Sequence, residues 1–199
     1  MKLNNVLLEN LTLGELLAQS KMKRPKVWHE FDGGDGDFTC ENLGITSLVG
    51  GPKYVERHFY CSKNMLTDLV GAPIDVGGDF ICNHMPSLTS LKTAQPIKIE
   101  AGAWFYRCGF TSLKGIHKYI SYIGGVASFE ANPIKSHMLG LLKIEGLEEI
   151  KFDVEVHGGE STKGNSVTAI INRHLENGRN IFDCQAELED NGYEEYAQL

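Results

Sequence analysis

The sequence predicts an α/β solenoid, a stack of short parallel strands closed by helices at both ends. Three observations carry that expectation. An aromatic-x-Cys phrase recurs every 21 residues, as Phe38-Thr39-Cys40, Phe59-Tyr60-Cys61 and Phe80-Ile81-Cys82. Each phrase leads into an apolar Leu-x-x-Leu-type segment and a Gly/Pro return. The two ends of the chain lack the phrase and carry apolar residues at helical spacing instead.

The first unit runs from Phe38 to Ile45-Thr46-Ser47-Leu48, Pro52 and Val55. The second repeats this as Leu66-Thr67-Asp68-Leu69, Pro73 and Val76, and the third as Leu88-Thr89-Ser90-Leu91, Pro96 and Ile99. After an insertion at 100–105, Tyr106-Arg107-Cys108 opens a fourth unit that reaches Thr111-Ser112-Leu113, Ile116 and Ile120. A fifth reads Ala127-Ser128-Phe129, with Phe at the cysteine position and Asn132 where Asn64 falls. Ile144 to Leu147 and Phe152 to Val154 form a degenerate last unit. Each unit reads as a short strand, a turn holding Asn or Gly, an apolar segment and a return. One unit cannot bury its apolar side, whereas a stack can. The expected architecture over residues 31–156 is a leucine-rich-repeat-like solenoid with a parallel β-sheet on its concave face and an irregular return opposite. Six strands at roughly 4.8 Å would make an arc on the order of 25–30 Å.

Residues 1–30 read as an N-terminal helical cap. Leu7, Leu8, Leu11, Leu16 and Leu17 lie near helical spacing, and Thr12 with Glu15 forms a capping-box pattern, so a helix is expected over 12–20. Residues 157–199 read as a C-terminal helical cap behind a Gly-rich linker at 158–165. There Ser166 to Leu175 places Val167, Ile170, Ile171 and Leu175 on one stripe. A second helix, Ile181 to Glu189, follows Asn180 and turns Phe182, Cys184 and Leu188 mostly inward.

Composition narrows the function. The 199 residues are 42% hydrophobic and 23% charged, as a folded domain requires. A net charge of −7 argues against binding a phosphate backbone, which Lys and Arg must neutralise. No apolar run approaches the roughly 18 residues of a membrane span, and the N-terminus makes a poor signal peptide, so a cytoplasmic location is expected. In that compartment the five cysteines should be reduced thiols. A zinc site is disfavoured because His58 and Cys61 are three residues apart and point to opposite sheet faces. In-register cysteines on parallel strands also read as poorly aimed for disulfides. They read instead as small core hydrophobes. No metal and no cofactor is expected.

If Phe59 and Cys61 point inward, their neighbours form outward columns. The first is Asp37, His58, Asp79, Phe105 and Val126; the second is Thr39, Tyr60, Ile81, Arg107 and Ser128; the third is Glu41, Ser62, Asn83, Gly109 and Glu130. Tyr60, Ile81, Phe105 and Arg107 would form an aromatic, apolar and Arg cluster of the kind that anchors protein interfaces. The candidate partner-binding set is therefore Asp37, Thr39, His58, Tyr60, Asp79, Ile81, Phe105 and Arg107. Against it stands the plain reading of a solvated face. By the same parity Trp104 points inward and covers the core. Seven histidines occur in no catalytic or metal motif, and GGDGD at 33–37 lacks the Lys-Ser/Thr of a phosphate loop. His58 and Asp79 are expected as neighbours on adjacent strands. Nothing argues for an enzyme.

The runs CSKNMLTDLVGAPIDVGGDFIC, NPIKSHMLGLLKIEGLEEI and CQAELEDNGYEEYAQL resemble a leucine-rich-repeat-like family of tailed bacteriophages, over residues 38–199. The chain departs from the regular repeat at Pro86 and at the 100–105 insertion. The resemblance implies the fold and a phage origin and carries over no catalytic residue. A phage origin implies action in the host cytoplasm against a host or defence protein. The expected function is thus a non-enzymatic protein-binding solenoid, with no direct nucleic-acid or membrane partner and with room for homo-oligomers. The alternative is an acidic mimic of nucleic acid, built on Glu148, Glu149, Glu155, Glu187, Glu189, Glu194 and Glu195.

Overall fold

A computed structural model describes residues 11–19, 36–152 and 166–199 of the chain. Leu7, Leu8, Asp35, Val154, Glu155, the linker at 158–165 and the domain boundaries near 30 and 156 lie outside the described residues.

The repeat becomes a parallel β-solenoid of about five turns with a few helices. Its longer sheet has six strands in the order β1-β3-β5-β7-β9-β10: β1 (Phe38–Thr39), β3 (Phe59–Tyr60), β5 (Phe80–Ile81), β7 (Ala103–Trp104), β9 (Val126–Ser128) and β10 (Glu149–Lys151). The expected irregular return is more regular than its sequence. It carries a second parallel sheet, in the order β2 (Tyr54–Val55), β4 (Asp75–Val76), β6 (Ile97–Ile99) and β8 (Ile120–Ile123). Val55, Val76, Ile99 and Ile123 point into the core from this sheet, and burying one side is what makes a short strand worth forming there.

The third side of each coil is the Leu-Thr-Ser/Asp-Leu segment, and it has a local cause. Ser47, Asp68, Ser90 and Ser112 each accept a hydrogen bond from the backbone N–H two residues on, at 3.2, 2.9, 3.2 and 3.1 Å. Such side-chain turns bend the chain in place and let Leu48, Leu69, Leu91 and Leu113 point inward. Gly71 (φ +92) completes the second corner, where a Cβ would stand 2.3 Å from the Val49 nitrogen. Gly77 leads back to the long sheet and passes so close to the preceding coil that a Cβ would stand 2.1 Å from the Glu56 carbonyl oxygen.

Inside, Phe38, Phe59 and Phe80 stack with centroids 5.7 and 5.1 Å apart, and Phe80, Phe105 and Phe129 continue the stack at 5.8 and 5.3 Å. Two buried asparagines tie the coils together. Asn64 Nδ2 donates to the carbonyls of Cys40 and Cys61 at 2.8 Å each, and its Oδ1 accepts from Leu43 and Ile45 N–H. Asn132 repeats the arrangement on Phe105 and Phe129, as the correspondence with Asn64 in the sequence anticipates.

The helices follow their capping signals. In α1 (Leu13–Gln19) the Glu15 carboxylate accepts from Thr12 N–H and Glu15 N–H donates to Thr12 Oγ1. Its first turn lies against the first coil, with Leu13 and Gly14 N–H donating to Ser47 and Val49 carbonyls. Helix α2 (Val167–Glu176) starts at Ser166 and buries Val167, Ile170, Ile171 and Leu175. Helix α3 (Ile181–Asp190) starts at Asn180 and buries Cys184 and Leu188, but Phe182 is 81% exposed rather than inward. The inward stripe is Ile181, Cys184 and Leu188, and Phe182 falls a quarter-turn or more off it. Asn172 of α2 donates to the Ile150 carbonyl and accepts from its N–H, so a side chain takes the place of a next strand. Among the described residues no helix is long and apolar enough to cross a membrane.

Candidate functional site

The outward face of the long sheet is set by register. Thr39, Tyr60, Ile81, Trp104, Ser128 and Lys151 lie side by side across its six strands. Tyr60, Ile81 and Trp104 are half-buried and form an apolar and aromatic stripe along its middle. Lys151 reaches over the Trp104 ring at 5.8 Å.

Beside this stripe Asp37, His58 and Asp79 stand one above another. They are occupied in holding the coils. Asp37 Oδ1 accepts from His58 N–H at 3.0 Å, His58 Nδ1 accepts from Asp79 N–H at 2.9 Å, and Asp79 Oδ1 accepts from Gly102 N–H at 2.8 Å. The expected His58–Asp79 proximity is present, with Nδ1 and Oδ2 3.3 Å apart. Because Nδ1 accepts a backbone N–H, the ring's own proton sits on Nε2. On the other flank Ser62 and Asn83 do the same work, accepting from Asn83 and Tyr106 N–H at 3.1 and 2.7 Å.

Six of the eight candidate residues, Asp37, Thr39, His58, Tyr60, Asp79 and Ile81, are placed on this face. Phe105 and Arg107 are not. Phe105 is wholly buried, and Trp104, expected inside, takes the outward place next to Ile81. The fourth strand is Ala103-Trp104-Phe105, not Tyr106-Arg107-Cys108, so Phe80 faces Ala103 rather than Tyr106. That is an offset of three residues, and an odd offset exchanges the two faces of a strand. The insertion at 100–105 hid this, although the fifth unit's Ala127-Ser128-Phe129 already showed the same small-x-Phe pattern.

Arg107 sits instead at a corner beyond the sheet. Asn42, Lys63, His84, Arg107 and Ala131 occupy the same place in successive coils, all with positive φ between 53 and 59°. His84 packs edge-on against the Tyr106 ring at 5.2 Å, and the Arg107 guanidinium lies 5.4 Å from the same ring.

The cysteines are core, but one pair departs from expectation. Cys61 and Cys82 are joined by a disulfide between adjacent coils, with Cα atoms 5.1 Å apart. In-register neighbours on parallel strands fall within the roughly 4.4–6.8 Å that a disulfide spans, so side chains aimed the same way from adjacent coils can still be bridged. Cys40, Cys108 and Cys184 are free and buried. Burial pushes their thiols up to about 12, 11 and 12, with the Glu41 and Glu187 carboxylates adding to the effect at Cys40 and Cys184. Such thiols are poor nucleophiles at neutral pH. Cys108, expected on a strand, stands where Asn64 and Asn132 stand in their coils, and its thiol donates to the Cys82 carbonyl at 3.0 Å.

No protein-family model, curated protein or solved structure matches the chain.

Proposed function

We propose that the chain is a non-enzymatic protein-binding solenoid that engages its partner through the outward face of the long sheet. The observation that carries this reading is the Tyr60–Ile81–Trp104 stripe. It offers apolar and aromatic side chains at neighbouring strand positions on a scaffold whose backbone is tied coil to coil. Aromatic anchors on a preorganised surface are what interfaces concentrate their affinity in. Thr39 continues the stripe, while Asp37, His58 and Asp79 border it and tune its charge. α1 and the α2–α3 pair serve as helical caps that keep the terminal coils from pairing with other chains.

The leucine-rich-repeat-like kinship and the phage origin rest on the sequence resemblance, and with them action on a host or defence protein in the host cytoplasm. The alternative, an acidic nucleic-acid mimic, draws on the exposed Glu148, Glu149, Glu189, Glu194 and Glu195. Glu187 serves it poorly, because Arg173 pairs with it and His174 Nε2 lies 2.7 Å from its other carboxylate oxygen.

One experiment separates the readings. A tagged protein is used to capture a specific partner from host lysate, in parallel with Tyr60→Ala/Trp104→Ala and with a variant carrying Gln at the five exposed glutamates. Loss with the first variant alone supports the interface. Loss with the second alone makes the chain a mimic.

A further inference from the structure

We infer that the corner column Lys63–His84–Arg107 is an anion site built for a phosphate monoester dianion. This surface is separate from the stripe. It lies past the strand ends, where the chain turns out of the long sheet.

Three observations converge on it. First, the three residues are exposed and occupy equivalent places in consecutive coils, as the αL backbone and the hydrogen bonds Lys63 N–H to Asn83 and His84 N–H to Tyr106 establish. Successive coils bring them to roughly 4.8 Å spacing, so the long side chains of Lys63 and Arg107 can close from both sides on a group above His84. Second, the site is partly organised. Arg107 and His84 share the Tyr106 ring, one over it and one edge-on. The Tyr106 backbone is itself held by Asn83 at 2.7 Å. Among the described residues none of the three forms an ion pair. The carboxylates nearest by register, Glu41 and Glu130, sit at the outer ends of the adjoining column, and Ser128 donates to Glu130 Oε2 at 3.0 Å.

Third, the residue choice runs against the backbone. φ values of 59, 58 and 53° are left-handed, a conformation that glycine adopts freely and that Lys and Arg adopt seldom and His somewhat more often. Two fixed cations and an imidazole therefore stand at three successive strained positions, on a chain of net charge −7. The left-handed turn belongs to the corner itself, since Asn42 and Ala131 share it, and what sets these three coils apart is that the corner carries basic side chains.

The donor set selects the ligand class. A guanidinium fork, an ammonium and an imidazole carried at three successive corners suit an oxygen-rich dianion with three acceptor oxygens. A single carboxylate offers two oxygens and one charge. A nucleic-acid backbone would need many more such cations, and the net charge repels it.

The test uses the full chain. ¹H–¹⁵N spectra are recorded during titration with inorganic phosphate, with a short phosphoserine peptide, and with the same peptide carrying Ser or Glu in place of phosphoserine. The expected result is saturable shifts centred on Lys63, His84, Tyr106 and Arg107. Arg107→Gly should weaken phosphate binding by at least about tenfold, the loss of one charged hydrogen-bonding group. Because glycine fits the left-handed corner, the triple variant Lys63→Gly/His84→Gly/Arg107→Gly should lose binding while melting no lower than wild type. Tighter binding of the phosphopeptide assigns the phosphate to a modified protein, and equal binding assigns it to a small phosphate ester. Either result keeps the class. Shifts that do not saturate below about 10 mM, unchanged affinity in Arg107→Gly, or equal binding of the Glu peptide would overturn the inference. The stripe variants used for partner capture leave this corner intact, so the two proposals fail separately.

Discussion

Phe105 occupies in its coil the place that Cys82 holds in the preceding one. Cys82 N–H donates to the Trp104 carbonyl and Phe105 N–H to the Ser128 carbonyl, the same bond one coil apart. Beside them the exchange is reversed, since Phe80 is followed by Ala103. Large-x-small becomes small-x-large, and the coil keeps its filled volume while the aromatic stack steps sideways.

This exchange makes Phe105 a core residue and Ile81 a surface one, with opposite expectations. Phe105→Ala should cost about 3–5 kcal/mol, as for a buried aromatic that leaves a cavity. Ile81→Ala should cost less than about 1 kcal/mol. Urea unfolding of both variants decides it, and similar midpoints would mean that Phe105 and Ile81 are buried to the same extent.

Asn64 is the second sensitive point. It satisfies the Cys61 carbonyl of its own coil and the Cys40 carbonyl and the Leu43 and Ile45 N–H groups of the preceding one, and all of these bonds but the one from Leu43 are buried. Asn64→Leu has a similar volume and restores none of these bonds. A loss of roughly 2–4 kcal/mol follows, from more than one buried group left unpaired. Thermal melts should show it at full size whether or not any partner is present.

The Cys61–Cys82 bond has a direct chemical readout. Unfolded without reductant in an alkylating agent, the chain should take up three alkyl groups, at Cys40, Cys108 and Cys184, and five after reduction. The bond links residues 21 apart in sequence, so removing it should cost on the order of 3 kcal/mol. Five groups taken up before reduction would place all the cysteines in the thiol form.

Acid should loosen the packing of α3 on α2. Burial pushes the Glu187 carboxyl up, but hydrogen bonds from His174 and Arg173 and their charges outweigh it and hold the group below its ordinary 4.5. A carboxyl lowered on folding stabilises fully above its unfolded value, and that contribution is lost as the pH falls from 4.5 through the lower folded value. Glu187→Gln should flatten the dependence of melting temperature on pH in that acid window and leave the slope above it unchanged. A wild-type slope in the variant would assign the acid sensitivity to other carboxyls.

Much of the scaffold was legible in the chain. The 21-residue phrase marks the strands and the inward Phe/Cys ladder because alternation on a strand is obligatory once one side is buried. Thr12 with Glu15, Ser166 and Asn180 mark helix starts because each satisfies N–H groups a few residues away. The candidate face was half legible. Its regular strands were placed correctly, and the strand after the insertion was not, so Phe105 and Trp104 were exchanged and Arg107 was set on the sheet instead of the corner.

By itself, then, the sequence determined what depends on short-range spacing: a period, a buried side, the helix ends and the equivalence of Asn64 with Asn132. The tertiary structure decided what depends on which coil lies against which. It decided the register of Ala103-Trp104-Phe105, the second sheet made from Val55, Val76, Ile99 and Ile123, the meeting of Cys61 with Cys82, and the use of Asp37, His58 and Asp79 as ties between coils. The physical reason is that an insertion of unknown shape leaves strand parity undefined. Only the hydrogen bond from each N–H to a carbonyl one coil away fixes which side chains turn inward.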